Sequence, residues 1–200
     1  RRTSEWRRRQ RCHARCAGQR ACVARATFGR LADGSLMAPT PRGMRSLHMT
    51  DGSLVAPALF GFVGRSGAGK TTLILDVVAC LRREGFVVSA IKRAHDGFDL
   101  DRPGKDSWRF REAGCREVMM VGERRWALLH EYVDEPEPDA LALARRMAHV
   151  DVVLFEGFRS APIPMIEVFR PSLGRPMLWP TCPSVVAVAA DGHVACPLPV

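Results

Sequence analysis

Gly64-Arg65-Ser66-Gly67-Ala68-Gly69-Lys70-Thr71 fits G-x-x-x-x-G-K-[ST] at every fixed position. The chemistry of a bound phosphate explains this composition. Its oxygens need several backbone N–H donors converging on one point, and glycines let a loop curl tightly enough to supply them. A helix starting at the end of the loop adds its positive N-terminal end. Lys70 places a point charge on the β- and γ-phosphates, and the Thr71 hydroxyl is suited to Mg²⁺. Gly64, Arg65, Ser66, Gly67, Ala68, Gly69, Lys70, Thr71 and the adjoining Thr72 are therefore candidate nucleotide contacts.

The flanks agree with this reading. Ala58 to Val63 is a short apolar run, as a buried strand requires. Lys70 to Glu84 predicts a helix with Leu73, Ile74, Val77, Val78 and Leu81 on one face, and Gly85 at its stop. Further strands are expected at 86–91, 118–121, 127–129, 152–155, 166–169 and 185–190. Short helices are expected from Ser107 to Ala113 and after Glu135-Pro136-Glu137-Pro138-Asp139. Ile166-Glu167-Val168-Phe169 alternates, so an edge or half-exposed strand is expected there. Strands alternating with helices predict an α/β protein, a P-loop NTPase-like three-layer fold with a largely parallel sheet. No helix follows the last strand before Val200, which suggests a truncated C-terminus.

In such sheets, ligands lie beyond the carboxyl ends of the strands. Residues 91–107 follow the second strand and offer Asp99 and Asp101 to Mg²⁺, and Lys92 and Lys105 to phosphate. Asp99 also suits a catalytic base, and Asp99 and Glu156 are the candidate catalytic residues. Four apolar residues precede Glu156, which places a carboxylate at a strand end in a Walker B-like arrangement. Glu156 is preferred to Asp151, which precedes the strand. The chain has only three Lys, namely Lys70, Lys92 and Lys105, against 27 Arg. A compact ammonium at those three positions is consistent with phosphate binding.

With 46% hydrophobic and 26% charged residues, the composition is that of a globular protein. No apolar run approaches the ~18 residues that a membrane span needs. The net charge of +9 resides in the first fifty residues, which carry 12 Arg and two acids, while residues 51–200 are near neutral. This makes a nucleic-acid-binding domain after residue 50 unlikely. Residues 1–50 show no sustained period, and a disordered basic tail is expected, followed by one nucleotide-binding domain over 51–200. Translated sequence upstream of a start at Met44 or Met49 is the preferred origin of the tail. The alternatives are a solvated basic arm, a transit peptide, and a zinc site at Cys12, His13, Cys16 and Cys22.

GFVGRSGAGKTTL (61–73), IKRAHDGFDLDRPGKDSWRFREAG (91–114) and DVVLFEGFRSAPIPMIEVFR (151–170) together resemble the molybdopterin-guanine dinucleotide biosynthesis protein B (MobB) family, across about residues 58–190. Asp101 to Ser107 and Pro164 to Arg170 are its most specific parts. The resemblance implies a cytoplasmic, homodimeric GTP- and Mg²⁺-binding accessory protein with weak or partner-dependent hydrolysis. Such a protein works with a molybdopterin guanylyltransferase, and with molybdopterin, to attach GMP. The family usually has Lys-His-x-His-His where this chain has Lys92-Arg93-Ala94-His95-Asp96, so two histidines are absent. The preference for GTP rests on the resemblance, because a chain without Asn has no N-K-x-D motif.

Two other readings use the same loop. In a small-molecule kinase, Asp99 would be the base, but no arginine-rich lid segment is evident. A metallochaperone-type GTPase would need a Cys/His cluster near His95.

Overall fold

The computed structural model describes residues 56–94, 100–147 and 150–200 in full, together with the strand backbones at 29–30, 36–40 and 43–47. Those first strands are β1 (Gly29–Arg30), β2 (Leu36–Thr40) and β3 (Gly43–Leu47), paired antiparallel in sequence order. They fall in the stretch expected to be without structure. Cys12, His13, Cys16 and Cys22 lie outside the described residues.

The chain divides into two compact units. One comprises residues 1–93 with 140–200, and the other residues 94–139.

The first unit is built on five parallel strands. These are β4 (Ala58–Val63), β5 (Val88–Lys92), β8 (Val152–Glu156), β9 (Met165–Phe169) and β10 (Val185–Ala190), in spatial order β10-β9-β4-β8-β5. Helix α1 (Lys70–Arg83) buries Ile74, Val77 and Leu81 against Phe60, Phe62, Val152, Leu154, Ile166 and Val168 on one face. Each such side chain contributes roughly 1.5–3 kcal/mol. Arg82 and Arg83 occupy the last turn of α1, where the dipole favours cations. Helix α3 (Ala140–Arg146) covers the other face, with Ala140 and Ala144 beside Val153, Phe155 and Met165. The three expected layers are therefore present.

β9 corrects one expectation. It lies between β10 and β4, inside the sheet, and Glu167 is 1% exposed. The polar residue that made the segment look like an edge is a buried structural acid. Its two oxygens accept the backbone N–H groups of Leu178 (2.7 Å) and Trp179 (2.8 Å) at the start of a 3₁₀ turn, Trp179–Thr181. A carboxylate there satisfies donors that the turn cannot satisfy itself.

The second unit contains α2 (Asp106–Glu112) and an antiparallel hairpin of β6 (Glu117–Val121) and β7 (Trp126–His130). Glu117 pairs across the ladder with His130. The His130 ring nitrogens lie 2.7 Å from Glu117 Oε1 and 2.7 Å from Glu135 Oε1, and Arg116 Nη2 is 2.8 Å from the same Glu135 oxygen. Hydrogen bonding to Glu117, then to Glu135, raises the His130 pKa above its ordinary 6.5. Hydrogen bonding to Arg116, then to His130, lowers that of Glu135.

Two tests follow from these buried and paired charges. Glu167→Leu should cost about 2–4 kcal/mol in urea unfolding, because two buried N–H groups lose their acceptor, and Glu167→Gln should cost less. The His130 contribution is fully present below pH 6.5 and is lost as pH rises through its raised value, whereas that of Glu135 is lost as pH falls through its lowered value. Amide exchange of β6 and β7, corrected for intrinsic rates, should therefore accelerate as pH rises beyond 6.5 through the raised His130 value, and His130→Gln should remove that rise.

Candidate functional site

The loop from Gly64 to Gly69 joins β4 to α1 at the carboxyl edge of the sheet. Its first and last residues need to be glycine for different reasons. A Cβ on Gly64 would stand 2.4 Å from the Val168 carbonyl oxygen, so the loop passes directly against the backbone of β9. Gly69 has φ +93 in the left-handed region and leads into the helix. Between them Ala68 is buried, while Arg65, Ser66 and Gly67 are exposed.

Lys70 folds back over the loop. Its Nζ donates to the carbonyl oxygens of Gly64 (3.0 Å) and Arg65 (3.1 Å). The ammonium is thus held over the loop. Thr71 Oγ1 lies 3.1 Å from both carboxylate oxygens of Glu156 at the end of β8. Lys92 Nζ, at the end of β5, is 3.7 Å from Glu156 Oε2. Thr72 is exposed on the first turn of α1.

Thr71 and Glu156 bring a hydroxyl and a carboxylate together, and Mg²⁺ accepts such hard oxygen donors. The residues present fit that ion. Among the described residues no group of three or more His, Cys, Asp or Glu is placed to hold a metal. A Mg²⁺ shared with phosphate oxygens and water needs no such cluster. Asp151 belongs to the other end of β8, where its Oδ2 accepts the Val87 N–H at 2.6 Å.

The remaining expected residues belong to the 94–139 unit or lie outside the described residues. Asp99 and His95 lie outside the described residues. Asp101, expected as a magnesium-side acid, is buried within the 94–139 unit and its oxygens are engaged there. Ser107 Oγ (2.5 Å) and the Arg102 N–H (3.2 Å) donate to Oδ1, and Arg111 Nε is 3.8 Å from Oδ2. Lys105 is exposed in the same unit, at the residue before α2. Arg93 stacks its guanidinium 4.5 Å over the Phe158 ring. A Cβ on Gly157 would meet Arg93 at 3.2 Å, so the turn after Glu156 packs closely on that residue.

The structure adds two site residues that the sequence reading did not single out. Arg170, directly after β9, points Nη1 at the Gly67 carbonyl oxygen (3.4 Å), and its Nε donates to Asp191 Oδ2 (2.7 Å), directly after β10. Both follow apolar strands, which is the available signal in the sequence. That signal has meaning only once the strand order is known.

A parallel sheet, a glycine loop leading into a helix, a lysine over the loop and a hydroxyl–carboxylate pair beside it define a P-loop NTPase-like protein. The chain belongs to the molybdopterin guanine dinucleotide synthesis protein B family, whose family model matches residues 59–191. It is 40% identical over 136 residues to the molybdopterin-guanine dinucleotide biosynthesis adapter protein of Escherichia coli (strain K12), covering 66% of this chain and 78% of that protein. It is 39% identical over 119 residues to the Haemophilus influenzae protein of the same name, covering 60% and 67%. The crystal structure of a molybdopterin-guanine biosynthesis protein B superposes with a TM-score of 0.54 at 26% identity, over 71% of this chain and 87% of the other.

The close approach of the loop to β9 gives a direct test. Gly64→Ala should destabilise the protein by about 2–3 kcal/mol in thermal unfolding, because the opposing atom is backbone and has no rotamer to move.

Proposed function

We propose that this protein is a GTP-binding adapter in molybdenum cofactor biosynthesis, which assists a separate guanylyltransferase in attaching GMP to molybdopterin. The adapter role follows from membership of the family and from the names of its relatives. The observation that supports nucleotide binding is the convergence at one sheet edge of the Gly64–Gly69 loop, the Lys70 ammonium and the Thr71–Glu156 pair.

In this reading the loop N–H groups and Lys70 hold the β- and γ-phosphates, and Thr71 and Glu156 hold Mg²⁺ or its waters. The cation neutralises charge on the phosphate oxygens. Lys92 lies 3.7 Å from Glu156 Oε2 and orients that carboxylate. No group in the described part of the loop region is set as a strong base for water, so turnover without a partner is slow. GTP rather than ATP, a homodimer and a cytoplasmic location complete the proposal on the strength of the family. Among the described residues no helix is long and apolar enough to cross a membrane.

Calorimetry tests the reading. Mg·GTP should bind the wild-type chain, and Lys70→Ala should abolish binding while the unfolding midpoint stays near wild type. Wild-type affinity in that variant refutes the site, and tight ATP binding without GTP binding refutes the choice of base.

A further inference from the structure

Arg170 stands beside the loop with Asp191 as its counter-ion. Its guanidinium lies against the loop at the N-terminal end of α1, where the helix dipole is positive and Lys70 already adds a charge. Nη1 is 3.4 Å from the Gly67 oxygen, and Nη2 is 3.4 Å from the position a Cβ on Gly69 would take. Asp191 holds it there through Nε at 2.7 Å, which leaves the two terminal nitrogens facing the loop. The pair is neutral overall, and what it presents to the loop is the donor fork of the guanidinium, the geometry that suits a phosphate at a helix N-terminus.

The strand order gives the direction of that phosphate. Thr71 meets Glu156 on β8, and Lys92 ends β5, so the metal-side groups lie on one side of β4. Arg170 and Asp191 end β9 and β10 on the other side. Thr71 and Glu156 would hold Mg²⁺ on the β8 side, where the ion would neutralise charge at the γ end of a nucleotide. The α-phosphate and nucleoside then emerge toward β9 and β10. Leu173, in the turn after Arg170, reaches within 3.8 Å of the Cβ position of Gly67 and adds apolar surface on that same side.

We infer that Arg170, positioned by Asp191, grips the α-phosphate at the nucleoside end of a bound nucleoside di- or triphosphate. This rests on the nucleotide reading of the loop. The guanidinium donates charge-assisted hydrogen bonds to the phosphate. Asp191 acts through it, by fixing the plane of the fork.

Titrating Mg·GTP and Mg·GDP into the full chain and its variants tests this. Arg170→Ala should weaken GTP and GDP by the same factor, about tenfold or more, which is the worth of a charge-assisted contact. Arg170→Lys should recover part of the loss. Asp191→Asn should weaken both nucleotides in the same ratio, and the Arg170→Ala/Asp191→Asn double variant should bind no worse than Arg170→Ala alone. Unfolding midpoints of the variants identify any that fail to fold, and the lysine variant keeps the charge and the loop packing in place. Unchanged affinity for both nucleotides in Arg170→Ala overturns the inference. So does a loss confined to GTP, because it would place the arginine at the γ-phosphate. If Lys70→Ala binds GTP as the wild type does, the nucleotide reading itself falls. If Lys70→Ala loses binding while Arg170→Ala keeps it, only the role of Arg170 falls.

Discussion

The Lys70 ammonium lies 3.0 Å from the carbonyl oxygen of Gly64, and much of the surrounding architecture serves to keep that contact in place. For the lysine to fold back this way, the loop must turn tightly off the end of β4. It does so by laying Gly64 against the backbone of Val168, so β9 must be the neighbour of β4. β9 holds that inner position although it carries Glu167. The acid is tolerated because the N–H groups of Leu178 and Trp179 meet both of its oxygens. The phosphate loop thus depends on a hydrogen-bonded turn that is remote from it in sequence.

The two sides of β4 do different electrostatic work. On the β8 and β5 side an acid, a hydroxyl and an ammonium converge, an arrangement suited to a divalent cation that is shared with phosphate. On the β9 and β10 side an arginine is held by an aspartate next to the loop carbonyls. The sheet places these groups one or two strands from β4 in each direction, so they face one loop without competing for one another. Arg93 belongs to a third environment, stacked on Phe158 behind the Glu156-Gly157 turn.

The 94–139 unit has its own logic. Asp101 joins the start of α2 to Arg111, and a His130–Glu117–Glu135–Arg116 cluster ties the hairpin to the chain beyond it. These are local pairings between residues close in sequence, so the segment closes on itself between β5 and α3.

What the sequence determined by itself was set by covalent neighbours. The loop, its lysine and threonine, the strand before it and the helix after it lie within one short stretch, so their spacing alone constrains their geometry. Glu156 was also legible, because four apolar residues before an acid mark a strand end. Tertiary structure decided whatever depended on which strands lie side by side. Ile166-Glu167-Val168-Phe169 alternates as an edge strand would, and only the turn that folds over Glu167 buries its charge. Asp101 has the chemistry of a metal ligand, and only the packing of Ser107 and Arg111 around it shows where its oxygens are engaged. Arg170 and Asp191 are separated by twenty residues of chain. They become partners beside the loop only because parallel strands bring their carboxyl ends to one edge, in an order that no local pattern encodes.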